Sequence, residues 1–453
     1  MQIDLYLKNG QVVTETAVFP GGVAIKNGRI AQLIYGEAEL DAREVVDVGG
    51  NHILPGVVDP HVHLSEPGTD YEGFETGSYA AAAGGITSLI EMPLNALPPT
   101  VDAASLQAKQ AVVRQKSIID VGLWGGLVDK NEANLADLRA GGVLGLKAFM
   151  SDPGPGYDRV DDDVLYAGMQ FAAAHGLPVG VHAENEYLTR HLRQTLAAAG
   201  RTDLAAWPES RPPFEELEAI QRTIALARAT GVQLHIVHVS LAEGVKTAVS
   251  TKNSGVNLTV ETCPQYLLLD HDDFLRIGST AKCAPPIRHR ANVEALWECV
   301  LAGQVDVIAS DHSPCLLAQK ATDNVWDAWG GISGLQTMLP GLLTEGVRRR
   351  GLPLPALVRM MSANPARIFG LYPRKGAMLP GSDADLVVVD MDKPWTLTAD
   401  QLFQRNKHSA FVDYTFQAAV LQTIRRGETI YANGQIKARP GSGQLLVCSH
   451  VLT

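Results

Sequence analysis

The chain has 453 residues, 46% of them hydrophobic and 19% charged, as expected of a soluble globular protein with more than one structural unit. Lys and Arg number 38 against 49 Asp and Glu, a net charge of −11 with no basic stripe, which excludes a general nucleic-acid or anionic-membrane surface. Five cysteines (Cys263, Cys283, Cys299, Cys315 and Cys448) form no CxxC pair, no run approaches the ~20 apolar residues of a membrane span, and MQIDLYLKNG is charged where a secretory signal needs an apolar core, so a reducing cytoplasm is expected.

The first elements in chain order are β. DLYLKNGQVV and GGVAIKNGRIAQLI alternate apolar and polar residues and are each interrupted by Asn-Gly, which predicts hairpins at Asn9-Gly10 and Asn27-Gly28. From residue 53 the pattern changes. Apolar or β-branched runs recur at 53–63, 85–93, 118–128, 143–150, 177–184, 232–240, 256–264 and 305–314. Between them lie segments such as DDVLYAGMQFAAAHG and ANVEALWECVLAG, whose apolar spacing fits amphipathic helices. Eight alternating β and α units predict a closed (β/α)₈ TIM barrel of parallel strands, with a doubly wound open sheet as the alternative. The chain then returns to β structure in DADLVVVD, TIRRGETIYANG and QIKA, with a turn at Asn433-Gly434. Neither end has enough strands for its own core, so residues 1–55 and 375–453 are expected to share one small β-sandwich around a barrel of residues 56–374.

In such a barrel, reactive groups sit at the carboxyl ends of the strands. The first run ends in His61 and His63, which share one face of a strand roughly 6.6 Å apart. The fourth carries Lys147, the fifth His182, the sixth His238 and the eighth Asp311. One terminal histidine is ordinarily a hydrogen-bonded structural residue. Four histidines and a carboxylate on one rim point to a metal. His235 and His312 are out of phase with His238 and Asp311 and are expected to be structural. Lys147 has two readings that spacing does not separate: a partner for a nearby carboxylate, or an amine that adds CO₂ to become a bridging carbamate.

These motifs resemble those of the cyclic amidohydrolases, metal-dependent hydrolases of the amidohydrolase superfamily, along the whole chain. DPHVHLSEPG is similar to the HxH signature, GLKAFM to the carboxylated-lysine strand, and GVHAEN, HIVHVS and ASDHSP to the other ligand strands. EGFETGSYAAAAGGITSLIEMPLN, ETCPQYLLLD, KCAPPIRHR and AWGGISGLQ resemble the allantoinase branch. The resemblance implies a (β/α)₈ barrel with a terminal β-sandwich and two divalent metal ions, zinc first and cobalt or manganese as alternatives. One ion would take His61, His63 and Asp311, the other His182 and His238, with carbamylated Lys147 between them. It further implies Asp311 as the proton acceptor and donor, a homotetramer, and allantoin as the small-molecule substrate, its hydantoin ring opened to allantoate in purine and ureide breakdown.

Four positions bear on the substrate. Ser65 stands where dihydroorotases carry an arginine for the substrate carboxylate, and serine cannot make bidentate bonds to one. Asn95 lies in MPLN, longer than the dihydroorotase MPN. Ala284 and Gly330 stand where hydantoinases carry a serine and a ring-binding asparagine, with backbone contact the expected mode. The alternatives are a hydantoinase or dihydropyrimidinase, then a dihydroorotase or a non-catalytic scaffold; all six ligand positions are filled, which argues against the scaffold.

Overall fold

The computed structural model describes residues 2–154 and 156–447; Cys448 and His450 lie outside the described residues. Five strands come first: β1 (Ile3–Val13), β2 (Val18–Lys26), β3 (Arg29–Tyr35), β4 (Ala42–Asp47) and β5 (His52–Pro55). Eight follow: β6 (Val57–Val62), β7 (Ile86–Glu91), β8 (Asp120–Gly126), β9 (Gly145–Phe149), β10 (Pro178–His182), β11 (Gln233–Ile236), β12 (Leu258–Thr262) and β13 (Val307–Ile308). The last six are β14 (Leu386–Asp390), β15 (Trp395–Thr396), β16 (Thr415–Phe416), β17 (Ala419–Arg425), β18 (Glu428–Ala432) and β19 (Gln435–Ile436).

Each of β6–β13 falls inside one of the eight predicted runs, and they pair in chain order, all parallel. Strands β6, β7, β8, β9 and β10 are buried at every position, as barrel strands covered by helices should be. The helices predicted between runs form at Asp162–His175 and Arg290–Leu301. A longer one, Pro213–Thr230, starts on a proline and stops at Gly231, whose φ of 72° is the left-handed cap. Trp124 fills the barrel interior, and a Cβ at Gly145 or Gly180 on the next two strands would sit 2.6 or 2.8 Å from its ring. Those positions need glycine.

Between β13 and β6 a bridge at Val62 and His312 replaces a regular ladder, reinforced by His63 N–H donating to His312 O at 2.8 Å. The Asp59 carboxylate accepts from Ser310 N–H at 3.2 Å across the same seam. Burial lifts Asp59 to about 7.

The two chain ends share one nine-stranded sheet, ordered β19-β18-β17-β14-β5-β1-β2-β3 with β4 on β1. They meet where β14 runs antiparallel to β5, over a core of Leu5, Leu7, Val23, Ile53, Leu386 and Ile424. The turns at Asn27-Gly28 and Asn433-Gly434 form as expected, all four residues at positive φ. Asn9-Gly10 does not. β1 runs straight through it, with Lys8 and Asn9 opposite Gly22 in a bulge, and the chain reverses instead at Thr14–Ala17. Positive φ at Asn9 serves a bulge as well as a turn, and the continuous pairing of β1 with β2 decides between them.

A buried ion cluster joins sheet to barrel. Lys375 Nζ lies 2.5 Å from Asp120, 3.0 Å from Asp383 and 2.7 Å from Asp385, and Arg426 also pairs with Asp120. Cys263, Cys283, Cys299 and Cys315 are buried free thiols, and among the described residues no helix is long and apolar enough to cross a membrane.

Candidate active site

Five barrel strands bring the six predicted ligand positions to one end. His61 lies on β6 and His63 one residue past it; Lys147 is on β9, His182 ends β10, and His238 and Asp311 follow β11 and β13. His61 Nε2 and His63 Nε2 lie 3.2 and 3.3 Å from the same Asp311 oxygen. The His182 and His238 rings are 4.5 Å apart and those of His61 and His238 5.3 Å apart. All six residues are buried. His238 and Asp311 adopt φ of 39° and 45°, a conformation that costs a non-glycine residue ~1–3 kcal/mol and that collects at functional sites.

The charges of this cluster do not close. Among the described residues, Lys147 Nζ, His63 Nδ1 and His238 Nδ1 are buried without a hydrogen-bond partner. Burial pulls the Lys147 amine down to about 8. Burial, with His182, Lys147 and His61 nearby, drives His238 well below its ordinary value, so its imidazole is neutral. Burial would raise Asp311, but His61, His63 and Lys147 outweigh it and keep the carboxylate ionised. Imidazoles around one carboxylate are the donor set of a divalent transition metal, and His61, His63 and Asp311 place ligand atoms within 4.8 Å of one another. The residues fit a metal.

A shell of carboxylates behind the rim was not singled out from the sequence. Glu261, on β12, approaches His61 Nδ1 at 2.6 Å and His235 Nε2 at 3.1 Å, and accepts from His238 N–H at 3.0 Å. Burial would raise it, yet the two histidines hold it well below the carboxylate range. Because Glu261 takes Nδ1 of His61, that proton is fixed there and Nε2 faces Asp311. Glu184 does the same at Nε2 of His182, 2.8 Å away, leaving Nδ1 free. Glu91 accepts from Leu64 and Ser65 N–H at 2.7 and 3.0 Å and shapes the loop after His63. The available signal was a carboxylate within or just past an otherwise apolar run: SLIEM, VHAE, TVETC. His235, as expected, is structural, its Nδ1 on Thr259 at 2.8 Å. His312 Nδ1 accepts from Gly334 N–H at 3.2 Å.

The rim opens into a cavity of about 580 Å³. Asn95, Ala284 and Gly330 line it; Ser65 does not. Ser65 is fully buried, its φ of 60° and its bond to Glu91 turning it beneath the loop whose Thr69 and Tyr71 reach the wall. Arg211 also borders the cavity, but Glu184 lies 3.3 Å from it and the Trp207 ring 3.6 Å. Its charge is engaged by the wall itself.

The Amidohydrolase family model matches residues 52–430. The chain is 45% identical to the allantoinase of Rubrobacter xylanophilus over 443 residues, 96% of each chain. It is 43% identical to the allantoinase of Deinococcus radiodurans over 448 residues, 98% of this chain and 99% of that one. Among solved structures, the L-hydantoinase (dihydropyrimidinase) from Arthrobacter aurescens matches with a TM-score of 0.96 at 35% identity, covering 98% of this chain and 100% of that one.

Proposed function

The chain belongs to the amidohydrolase family, and from that premise we propose that it hydrolyses allantoin, opening the hydantoin ring at its amide bond to give allantoate. Family membership implies a binuclear divalent-metal centre. In our reading His61, His63 and Asp311 would hold one ion and His182 and His238 the other. Lys147 would complete the ligand set as a carbamate: its neutral amine bonds to the carbon of CO₂ and loses one proton, leaving an anion with two oxygens. The unpartnered, wholly buried Nζ supports that reading, because an ammonium there would be costly. When bound, the ions, zinc first and cobalt or manganese as alternatives, polarise the ring carbonyl and lower the pKa of water.

The chain's own groups do the rest. Asp311 accepts a proton from the attacking water and returns it to the ring nitrogen as the C–N bond breaks, while the water oxygen stays in the new carboxylate. Glu261 and Glu184 keep His61 and His182 in one tautomer and orientation. Asn95 offers its side-chain amide to the ring, and Ala284 and Gly330, with no polar side chain, offer backbone.

One observation carries the proposal: His61, His63, His182, His238 and Asp311 line one cavity, with Lys147 wholly buried in the same cluster, in a chain 43 to 45% identical to allantoinases over nearly its whole length. A cytoplasmic homotetramer belongs to the same reading, and sedimentation of the purified protein checks the assembly. A hydantoinase is the second reading, favoured by the L-hydantoinase fold match. Turnover of allantoin, 5-substituted hydantoins and dihydroorotate at one pH separates them. We expect allantoin to have the highest kcat/KM. Dihydroorotate should fall roughly a thousandfold lower, because serine and not arginine stands at position 65 and cannot pair with its carboxylate. Preference for a 5-alkyl hydantoin would install the second reading.

A further inference from the structure

Two backbone segments form one wall of the cavity: 279–284, which ends at Ala284, and 320–330, which ends at Gly330. Each sends a buried lysine into the other. Lys282 Nζ donates to Val325 O at 2.7 Å and Ala328 O at 2.5 Å. Lys320 Nζ donates to Ser279 O and Lys282 O at 3.0 Å each, and to Trp329 O at 2.9 Å. Ser279 Oγ closes the exchange by donating to Lys320 O. The three acceptors around Lys320 use all three donors of an ammonium. Trp207, whose ring lies 3.9 Å from Lys282 Nζ, donates its indole N–H to Cys283 O at 2.8 Å.

This arrangement is an expensive way to hold a loop. Lys282 and Lys320 are 3% and 2% exposed, and among the described residues neither has a carboxylate within ion-pair distance. Burial lowers Lys320 to about 8, and burial with Arg211 and Lys320 nearby lowers Lys282 to about 6. An apolar side chain of similar length would fill the same space without that desolvation cost. What methionine cannot do is tie several carbonyls of two segments to one point. We propose that Lys282 and Lys320 are positioning residues, a reciprocal clamp that fixes the Ala284 and Gly330 backbone in register for the substrate ring.

The inference rests on the proposed function only in taking this wall as substrate-facing. The test uses Lys320→Met in the metal-loaded enzyme, with Lys282→Met as the second variant should the first not fold. Amide hydrogen exchange in 320–330 should accelerate at least about tenfold, with the barrel strands unaffected. KM for allantoin should rise about tenfold or more while kcat falls by a smaller factor. Metal content should match the unmodified enzyme. Unchanged exchange in 320–330 would overturn the clamp. So would KM holding steady while kcat and metal content fall together, or exchange accelerating throughout the barrel. If the unmodified enzyme ignores allantoin, the functional proposal fails, and the exchange data still decide whether the clamp exists.

Discussion

Among the described residues, two buried clusters could each hold a cation by geometry: His61, His63 and Asp311 at the barrel rim, and Asp120, Asp383 and Asp385 at the sheet–barrel junction. They differ in whether the protein supplies the balancing charge. At the junction Lys375 sits among all three carboxylates, Arg426 adds to Asp120, and Arg374 lies 3.1 Å from Asp383. At the rim, among the described residues, no guanidinium or ammonium lies within ion-pair distance of Asp311, and three buried nitrogens lack partners. A cluster neutralised from within is a structural joint. One left open at the mouth of a cavity awaits something from outside.

Substitutions that break this contrast should separate the two sites. The largest effect is expected from Lys147→Ala, which removes the group proposed to join the two metal sites. The protein should fold, bind at least one fewer ion by elemental analysis, and lose activity by more than about 10⁴-fold. Normal turnover with two ions bound would remove Lys147 from the site. Next is Asp311→Asn, which deletes the proposed proton acceptor and should lower kcat by roughly 10²–10⁴-fold. Metal content measured alongside separates lost ligation from lost proton transfer. Glu261→Gln keeps the shape behind His61 but weakens its hold on the imidazole. Metal affinity, read by competition with a chelator, should drop about 10–100-fold. An unchanged affinity would make Glu261 a packing residue. The smallest effect on catalysis should come from Lys375→Met. It leaves three carboxylates short of a cation and should cost about 3–5 kcal/mol of stability in denaturant unfolding, with kcat/KM of the folded enzyme within about threefold of the unmodified value. A large catalytic loss there would mean that the junction communicates with the rim.

Much of this contrast was legible in the residues, but unevenly. The eight barrel strands could be read because each is a buried apolar run flanked by helical periodicity, and His61, His63, His182, His238 and Asp311 stood out as polar endings to such runs. Asn27-Gly28 and Asn433-Gly434 were legible because a two-residue turn is a local property. Asn9-Gly10 was not, since a bulge and a turn ask the same of those residues and only the partner strand decides. Glu261 and Glu184 were hidden because their roles depend on which imidazole nitrogen lies beside them, a relation between strands. Asp120 and Lys375 were hidden likewise: 255 residues separate them, and only the closed sheet brings them together. The burial of Ser65 follows from Glu91 capping the loop, which no spacing announces.

The central claim is that the open cluster at the rim is completed by divalent ions and that allantoin is opened there. Stripping the enzyme with a chelator and titrating zinc back, with allantoate formed and ions bound per chain measured on the same samples, tests it most directly. The account predicts that activity disappears with the metal and returns in proportion to it, saturating at two ions per chain, in Lys375→Met as in the unmodified protein. Allantoin hydrolysis that survives complete metal removal, or no metal bound at the rim on reconstitution, would contradict it.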